Sequence, residues 1–273
     1  MCVSFHGCSD SPAPSEDASA GDGGAYRLSI VEDKVVLASG SGRLGFYLTD
    51  EEGSFKGSEE DITVSLSVSP APVSSYNSMY RADARLLPEG TYSLGECVLT
   101  AGETEGEIGF DIDWDALPVS TQAWVLPLSL TVTSGLIKSD DTAWVMVPGI
   151  CRDPLTGQIR MYLSSEGAHV DVFYTEGNDK CIIYYPGGGF SNLTQNNDIA
   201  PDCLANGVSI GMVTYRLPDG DRTRTVQDCE EALFAMASAG GRFGESDVEP
   251  DTSVFYRSAC RLWKSTCLCG IFP

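Results

Sequence analysis

Apolar side chains recur at every second position in three separate runs of the first half of the chain. Ile62, Val64, Leu66 and Val68 alternate with Thr63, Ser65 and Ser67. Ile108, Phe110, Ile112 and Trp114 repeat the pattern, as do Trp124, Leu126, Leu128, Leu130 and Val132. A period of two sends successive side chains to opposite faces, so each run reads as a strand with one buried and one wet face. Asp50-Glu51-Glu52-Gly53, Pro88-Glu89-Gly90 and Ala101-Gly102-Glu103 supply turn residues between the runs. No stretch of residues 25–148 carries a convincing helical period. Several short strands at this spacing, over a length that suits one domain, predict an all-β, Ig-like sandwich for residues 25–148. The segment contains no His, and its acidic residues fall in turns or on exposed positions of the alternation. It is expected to be a binding or spacer module and not a catalytic one.

Charge narrows the classes of partner. The 273 residues hold 39 acidic against 17 basic side chains, a formal net charge of −22. Phosphate binding needs a basic surface, so nucleic acid is excluded as a partner. Docking to anionic lipid by charge is excluded for the same reason. No apolar run approaches the ~20 residues of a membrane-spanning helix. Hydrophobic residues make up 42%, enough for a core. Ten Cys over this length do not make a disulfide scaffold.

Residues 9–24, SDSPAPSEDASAGDGG, have a linker composition, and residues 1–24 are expected to be a disordered tether. The Gly7-Cys8 pair followed by an acidic, Ser-rich tether resembles the mature start of a bacterial lipoprotein, in which the Cys carries lipid. That resemblance implies a secreted, cell-surface or periplasmic protein with a lipid anchor at Cys8 as its membrane contact. The seven residues before Cys8 contain no basic n-region and no apolar h-region, where a signal peptide would have both.

The sandwich segment also carries a resemblance. Val64-Ser65-Leu66-Ser67-Val68 precedes Val73-Ser74-Ser75-Tyr76-Asn77, then come Leu87-Pro88-Glu89-Gly90-Thr91-Tyr92, a Gly-acidic turn, and Val125-Leu126-Pro127-Leu128 leading to Ser134-Gly135. In that order these segments resemble a β-sandwich domain of unknown function found at the N-terminus of many secreted glycan-related proteins of gut bacteria.

Beyond residue 150 the pattern changes. Cys181-Ile182-Ile183-Tyr184-Tyr185 is an apolar strand running into Pro186-Gly187-Gly188-Gly189-Phe190. Three consecutive glycines let the backbone turn sharply and aim its N–H groups at a ligand. Phosphate cradles use spaced glycines ending in Gly-Lys-Ser/Thr, which is absent here; ester hydrolases use such a turn as half of an oxyanion hole. Helical character about 198–206 follows, then a second buried strand, Val208–Tyr215. Thr225 to Ala239 should form a helix, with Val226, Cys229, Leu233 and Met236 near helical spacing. Strand, helix, strand, helix predicts a parallel α/β layer.

Tyr185-Pro186-Gly187-Gly188-Gly189-Phe190, then Tyr215-Arg216-Leu217-Pro218, then Gln227-Asp228 opening a helix, resemble the esterase/lipase branch of the α/β-hydrolase fold. The nearest likeness is to carbohydrate esterases of the acetyl xylan type, which remove acyl groups from plant polysaccharides. The resemblance implies a three-layer, mainly parallel α/β domain over residues 151–256. It also implies an acylated polysaccharide as partner, serine acyl transfer with no metal or other cofactor, and oxyanion N–H groups from Gly188, Gly189 and Phe190. Arg216 and Asp228 would belong to the scaffold, as an ion pair supporting the loop.

The nucleophile departs from the family's pattern. Ser258-Ala259 and Leu262 fall where the family has Ser-Ala and Leu in its Gly-x-Ser-x-Gly elbow, but Tyr256 and Cys260 replace the two glycines. The strained elbow needs glycines there to expose the Ser Oγ. No Asp, Glu or His follows Ser258 in the given sequence, and the two His are His6 and His169, the latter expected on an exposed strand or loop. Residues 257–273 are basic and Cys-rich against an acidic remainder, as an out-of-frame read or a truncation would leave them. A hydrolase sheet of this length is expected to keep an uncovered apolar face. Cys267-Leu268-Cys269 is too tightly spaced for a Cys-x-x-Cys pair, and Cys97, Cys181, Cys203 and Cys229 are expected to act as small buried apolar residues. Two functions follow: a secreted carbohydrate esterase, inactive in this form, or a non-catalytic glycan-binding or adhesion protein.

Overall fold

The computed structural model describes residues 26–38, 40–132, 137–139, 141–152, 158–178, 180–186, 199–218, 222–239 and 268–272. Eleven strands and one helix come from residues 26–147: β1 (Tyr26–Ile30), β2 (Lys34–Val36), β3 (Gly40–Asp50), β4 (Ile62–Val68), α1 (Val73–Tyr80), β5 (Arg85–Leu86), β6 (Tyr92–Leu94), β7 (Glu96–Leu99), β8 (Glu105–Ile112), β9 (Trp124–Val132), β10 (Ile137–Lys138) and β11 (Ala143–Val147). They form two sheets, ordered β10-β1-β3-β8-β6 and β2-β11-β9-β4-β7, with β5 also paired to β9. Between the sheets lies one apolar core. Leu28, Leu44, Phe46, Leu48, Ile108 and Phe110 line one side; Ile62, Val64, Leu66, Leu126, Leu128 and Val145 line the other. Each fully buried aliphatic or aromatic side chain here contributes roughly 1.5–3 kcal/mol. In β8, and in β4 as far as Ser67, the alternation of burial follows the alternation of the sequence, whereas Val68, expected on the buried face, is exposed. Gly53, Gly90 and Gly102 take positive φ in the turns between strands, a region that costs a Cβ-bearing residue energy.

Two features of this half differ from the sequence expectation. Strand β9 has no wet face over its first half, because Val125 and Pro127 are buried as well as Trp124, Leu126 and Leu128. All five residues of β11 are buried too. The second core explains this, since Val125, Trp144 and Met146 turn away from the sandwich interior and pack into it. The other difference is α1, which carries no legible helical period. Its eight residues are mostly polar, and Tyr76 alone is buried. The helix starts after Pro72, whose fixed φ suits a helix entry, and ends on Arg81 in the left-handed conformation.

The remaining elements are β12 (Gly149–Arg152), β13 (Ile159–Tyr162), β14 (His169–Phe173), β15 (Lys180–Tyr185), α2 (Ile199–Ala205), β16 (Val208–Thr214), α3 (Thr223–Ser238) and β17 (Leu268–Phe272). They build a third sheet, ordered β12-β13-β14-β16-β15-β17. The mainly parallel sheet expected from the sequence is corrected here. Among the described residues only β15 and β16 run parallel; the other four pairings are antiparallel. Short links join β12, β13 and β14, and short links return the chain antiparallel, whereas the α2 crossover lets β16 run beside β15 in the same direction. The whole is a β-rich, multi-sheet fold.

Helices α2 and α3 cover opposite faces of the third sheet. Ile182 and Tyr184 pack with α2 residues Ile199, Ala200 and Cys203. Cys181, Ile183 and Tyr185 pack with Cys229, Ala232, Leu233 and Met236 of α3. The α3 side of the sheet is not left uncovered, which corrects a further expectation: the outer face of β9 and β11 closes over it, with Val125, Trp144 and Met146 in the same core. Val226, placed on the apolar stripe by the sequence, is exposed at the first turn, where Thr225 is buried instead. Cys181 and Cys229 are buried free thiols, while Cys97, Cys151 and Cys203 are half-buried.

Candidate functional site

The parallel pair β15–β16 defines a carboxyl end, and such ends are where open α/β sheets place their ligands. Tyr185 and Pro186 close β15; Thr214 and Tyr215 close β16. The Tyr215 hydroxyl donates to the Pro186 carbonyl at 2.7 Å, tying the two strand ends together. The Tyr185 hydroxyl donates to the Cys229 carbonyl at 2.9 Å, anchoring the same end to α3. Burial, then the neighbouring Cys229 and Glu230, push the Tyr185 phenol well above its ordinary range, so it acts as a donor. The glycine run thus leaves from a strand end fixed on two sides. Gly188, Gly189 and Phe190 themselves lie outside the described residues, as does Ser258.

Arg216 and Asp228 are brought together. Asp228 is fully buried. Its Oδ2 accepts from the Arg216 backbone N at 2.8 Å and from Nε at 3.0 Å. Its Oδ1 accepts from Arg216 Nη2 at 3.0 Å and from Ser165 Oγ at 2.6 Å. This is a bidentate, charge-assisted pair with the remaining lone pairs satisfied. The Arg216 carbonyl in turn accepts from Thr225 Oγ1 at 2.8 Å. The segment after β16 is therefore clamped to the first two turns of α3.

A second buried acid, Glu231, lies one turn further along the same helix face, with its side chain 2% exposed. Ser164 donates its backbone N–H to Oε2 at 3.1 Å, and its hydroxyl sits 2.6 and 2.7 Å from the two carboxylate oxygens. Gln227 Nε2 donates to Oε1 at 3.0 Å. The counter-charge is the Lys34 ammonium, which donates to Oε1 from strand β2 of the sandwich. Lys34 also lies over the rings of Tyr80 at 4.5 Å and Tyr76 at 5.6 Å, within cation–π range. Burial, then the nearby Asp33, raises the Tyr80 phenol to about 12.

Sequence reading missed Lys34, Ser164, Ser165 and Glu231, and it named Gln227 only as part of a motif, not as a partner of Glu231. One signal was available: Asp228 and Glu231 stand three apart on a helix beside Cys229 and Ala232, so two acids share the buried stripe and each needs a cation.

The chemistry of this cluster is structural. The hydroxyls of Ser164 and Ser165 donate to carboxylates that are already neutralised by Lys34 and Arg216, so neither acid is a free base for a nucleophile. His169 stands away from it, half-buried at the start of β14 and not exposed as expected. Its Nδ1 is 2.9 Å from the Gly167 carbonyl and its Nε2 3.6 Å from Asp171. Arg160 pairs with Asp171 at 2.6 and 2.9 Å. Burial alone would raise the Asp171 carboxyl, but hydrogen bonds from His169 and Arg160 outweigh it and hold it below its ordinary value. No group of three or more potential metal ligands is assembled among the described residues.

Comparison with known proteins bears on the sandwich. A family model described as a "-like, N-terminal domain" matches residues 26–137, a range that holds β1 to β9 of the two facing sheets and ends before β11. No curated protein matches. Among solved structures, a two-domain protein of unknown function from Bacteroides fragilis is similar at 13% identity and a TM-score of 0.38, covering 55% of this chain and 56% of that one. A Bacteroides ovatus protein thought to bind carbohydrate is similar at 15% identity and a TM-score of 0.37, covering 59% and 51%. EndoBT-3987 from Bacteroides thetaiotaomicron is similar at 14% identity and a TM-score of 0.30, covering 44% and 30%. The chain thus spans about half the length of the first two structures, or less of the third.

Proposed function

We propose that residues 149–239 form part of an α/β-hydrolase-type module of the carbohydrate-esterase lineage, carried behind an N-terminal sandwich on a secreted, Cys8-anchored protein. Its ligand is an acylated plant polysaccharide. The observation that carries this reading is the carboxyl end of β15–β16, where a parallel strand–helix–strand unit delivers Pro186 and the glycine run from a fixed strand end. The Arg216–Asp228 clamp holds the adjacent strand end. In an ester hydrolase that position aims backbone N–H groups of Gly188, Gly189 and Phe190 at a developing oxyanion. Ser258 takes the nucleophile's place in the sequence, and Ser acyl transfer needs neither metal nor other cofactor.

Tyr256 and Cys260 flank Ser258 where an elbow takes glycines, and a Cβ at both places opposes the strained turn. This favours a second reading, that the chain holds glycan without turning ester over. Hydrolysis of p-nitrophenyl acetate is expected to stay at the background rate and to be unchanged in Ser258→Ala. Acetylated xylan or pectin is expected to retain the protein in a pull-down. Turnover that is lost in Ser258→Ala would restore the enzyme reading; absence of both turnover and retention would remove both.

A further inference from the structure

We infer that the sandwich is a structural half of the α/β unit and not a separable spacer: its Lys34 supplies the counter-charge that holds the buried Glu231, and with it helix α3, in place. The inference stands apart from the esterase reading, because it concerns where α3 gets its second wall and its charge balance.

Three independent observations lead to it. The first is charge. Glu231 is 2% exposed and Lys34 13% exposed, and the two come from elements 197 residues apart in sequence. A buried carboxylate without its cation is strongly unfavourable, even where the intact pair adds little net stability. Helix α3 therefore carries a group whose burial is tolerable only with the sandwich in contact. The second is surface. A spacer keeps a polar outer face, but the outer face of β9 and β11 presents Val125, Trp144 and Met146, which join Ala232, Leu233, Ala235 and Met236 in one core. Tyr76 extends that core from α1, with its ring 5.5 Å from Trp144. The third is the backbone. Ala38 N donates to Ser238 Oγ at 2.7 Å at the far end of α3. Asp83 N donates to the Ser164 carbonyl at 2.9 Å. Arg216 Nη1 donates to the Arg81 carbonyl at 3.2 Å, so the guanidinium that clamps Asp228 is also held by the residue that ends α1. Domains joined by a small polar interface move by default; here the ion pair and hydrogen bonds flank a buried apolar core shared by both halves.

Hydrogen–deuterium exchange on the full chain tests this. Lys34→Met keeps the length of the stem and removes the charge. Exchange of the amides of α3 and of residues 163–165 is expected to rise about tenfold or more, while β3 and β8 on the far sheet stay protected. Lys34→Met combined with Glu231→Gln removes the unpaired charge and is expected to recover at least about half of that protection. If Lys34→Met does not fold, recovery of folding in the double variant reads the same coupling. Faster exchange confined to β2 and its sandwich neighbours, with α3 unchanged, would overturn the inference. So would a double variant no better protected than Lys34→Met.

Discussion

Asp228 shows what single residues contribute here. Its carboxylate accepts four hydrogen bonds, three of them from Arg216. Asn at this position keeps the shape but removes the charge, and its amide places a donor against the Arg216 or Ser165 donors. Arg216, with its side chain 17% exposed, is then left without its counter-ion. Asp228→Asn is expected to lower stability by about 3–5 kcal/mol in urea titration at pH 7; a loss under about 1 kcal/mol would show the clamp to be dispensable. The contact between Arg216 and Asp228 was expected only through the resemblance of the Tyr215–Pro218 and Gln227-Asp228 motifs, and not from their spacing. The Lys34–Glu231 pair was not expected at all. No pattern in β2 singles out Lys34, and its partner is contributed by tertiary packing of an element 197 positions away. The same limit applies in part to His169: Asp171 follows it two residues along β14, but Arg160 reaches that carboxylate only through the β13–β14 register.

At the scale of elements, strands with one buried face were the most legible, because β4 and β8 meet core on one side and solvent on the other. Strands β9 and β11 escaped that reading through burial on both faces. The short helix α1 escaped it because one buried Tyr on eight residues gives no period. In α3 the stripe was legible but its phase was off at the first turn, where the clamp buries Thr225 and Asp228 and leaves Val226 outside. The passage from sandwich to third sheet falls on Gly149, the first residue of β12. A Cβ there would lie 2.1 Å from the Gln122 carbonyl oxygen and 2.9 Å from that of Ser120. These are backbone atoms on the segment whose Ser120 N–H also donates to the Ile150 carbonyl at 3.0 Å, so they have little room to yield. Gly149→Ala is expected to cost roughly 2 kcal/mol or more, read as a fall in the urea midpoint at unchanged slope. A midpoint equal to that of the parent would mean that β12 shifts freely, and that the strand's register is not fixed at this crossing.

For the whole molecule, the sequence divided readily into an alternating half and a strand–helix half, because the two have different periods. Which face of one would meet the other was not written in either period. Apolar residues on the outer face of β9 and β11 look, from sequence alone, like a thicker version of the sandwich core. Trp144 and Val145 are neighbours that belong to different cores, the first shared with α3 and the second enclosed between the facing sheets. Unfolding the α/β unit would expose Trp144, Met146 and Val125 and leave the Lys34 ammonium without Glu231, so the sandwich loses stability when its neighbour opens. Two-domain chains with a small polar contact unfold in separate steps. This chain is expected to unfold in one. Far-UV circular dichroism weights the helices, of which α3 is the longest among the described residues. Tryptophan fluorescence of the variant Trp263→Phe, which removes the one Trp outside the described residues, reports Trp124 in the sandwich core together with Trp114 and Trp144 in the shared core. In urea at pH 7 the two signals should give midpoints that agree within about 0.2 M and a single slope. Lys34→Met should separate them, with the helical signal lost first and the Trp124 contribution retained to higher urea. Two separated transitions in the parent chain would mean that the junction, for all its burial, does not couple the two halves.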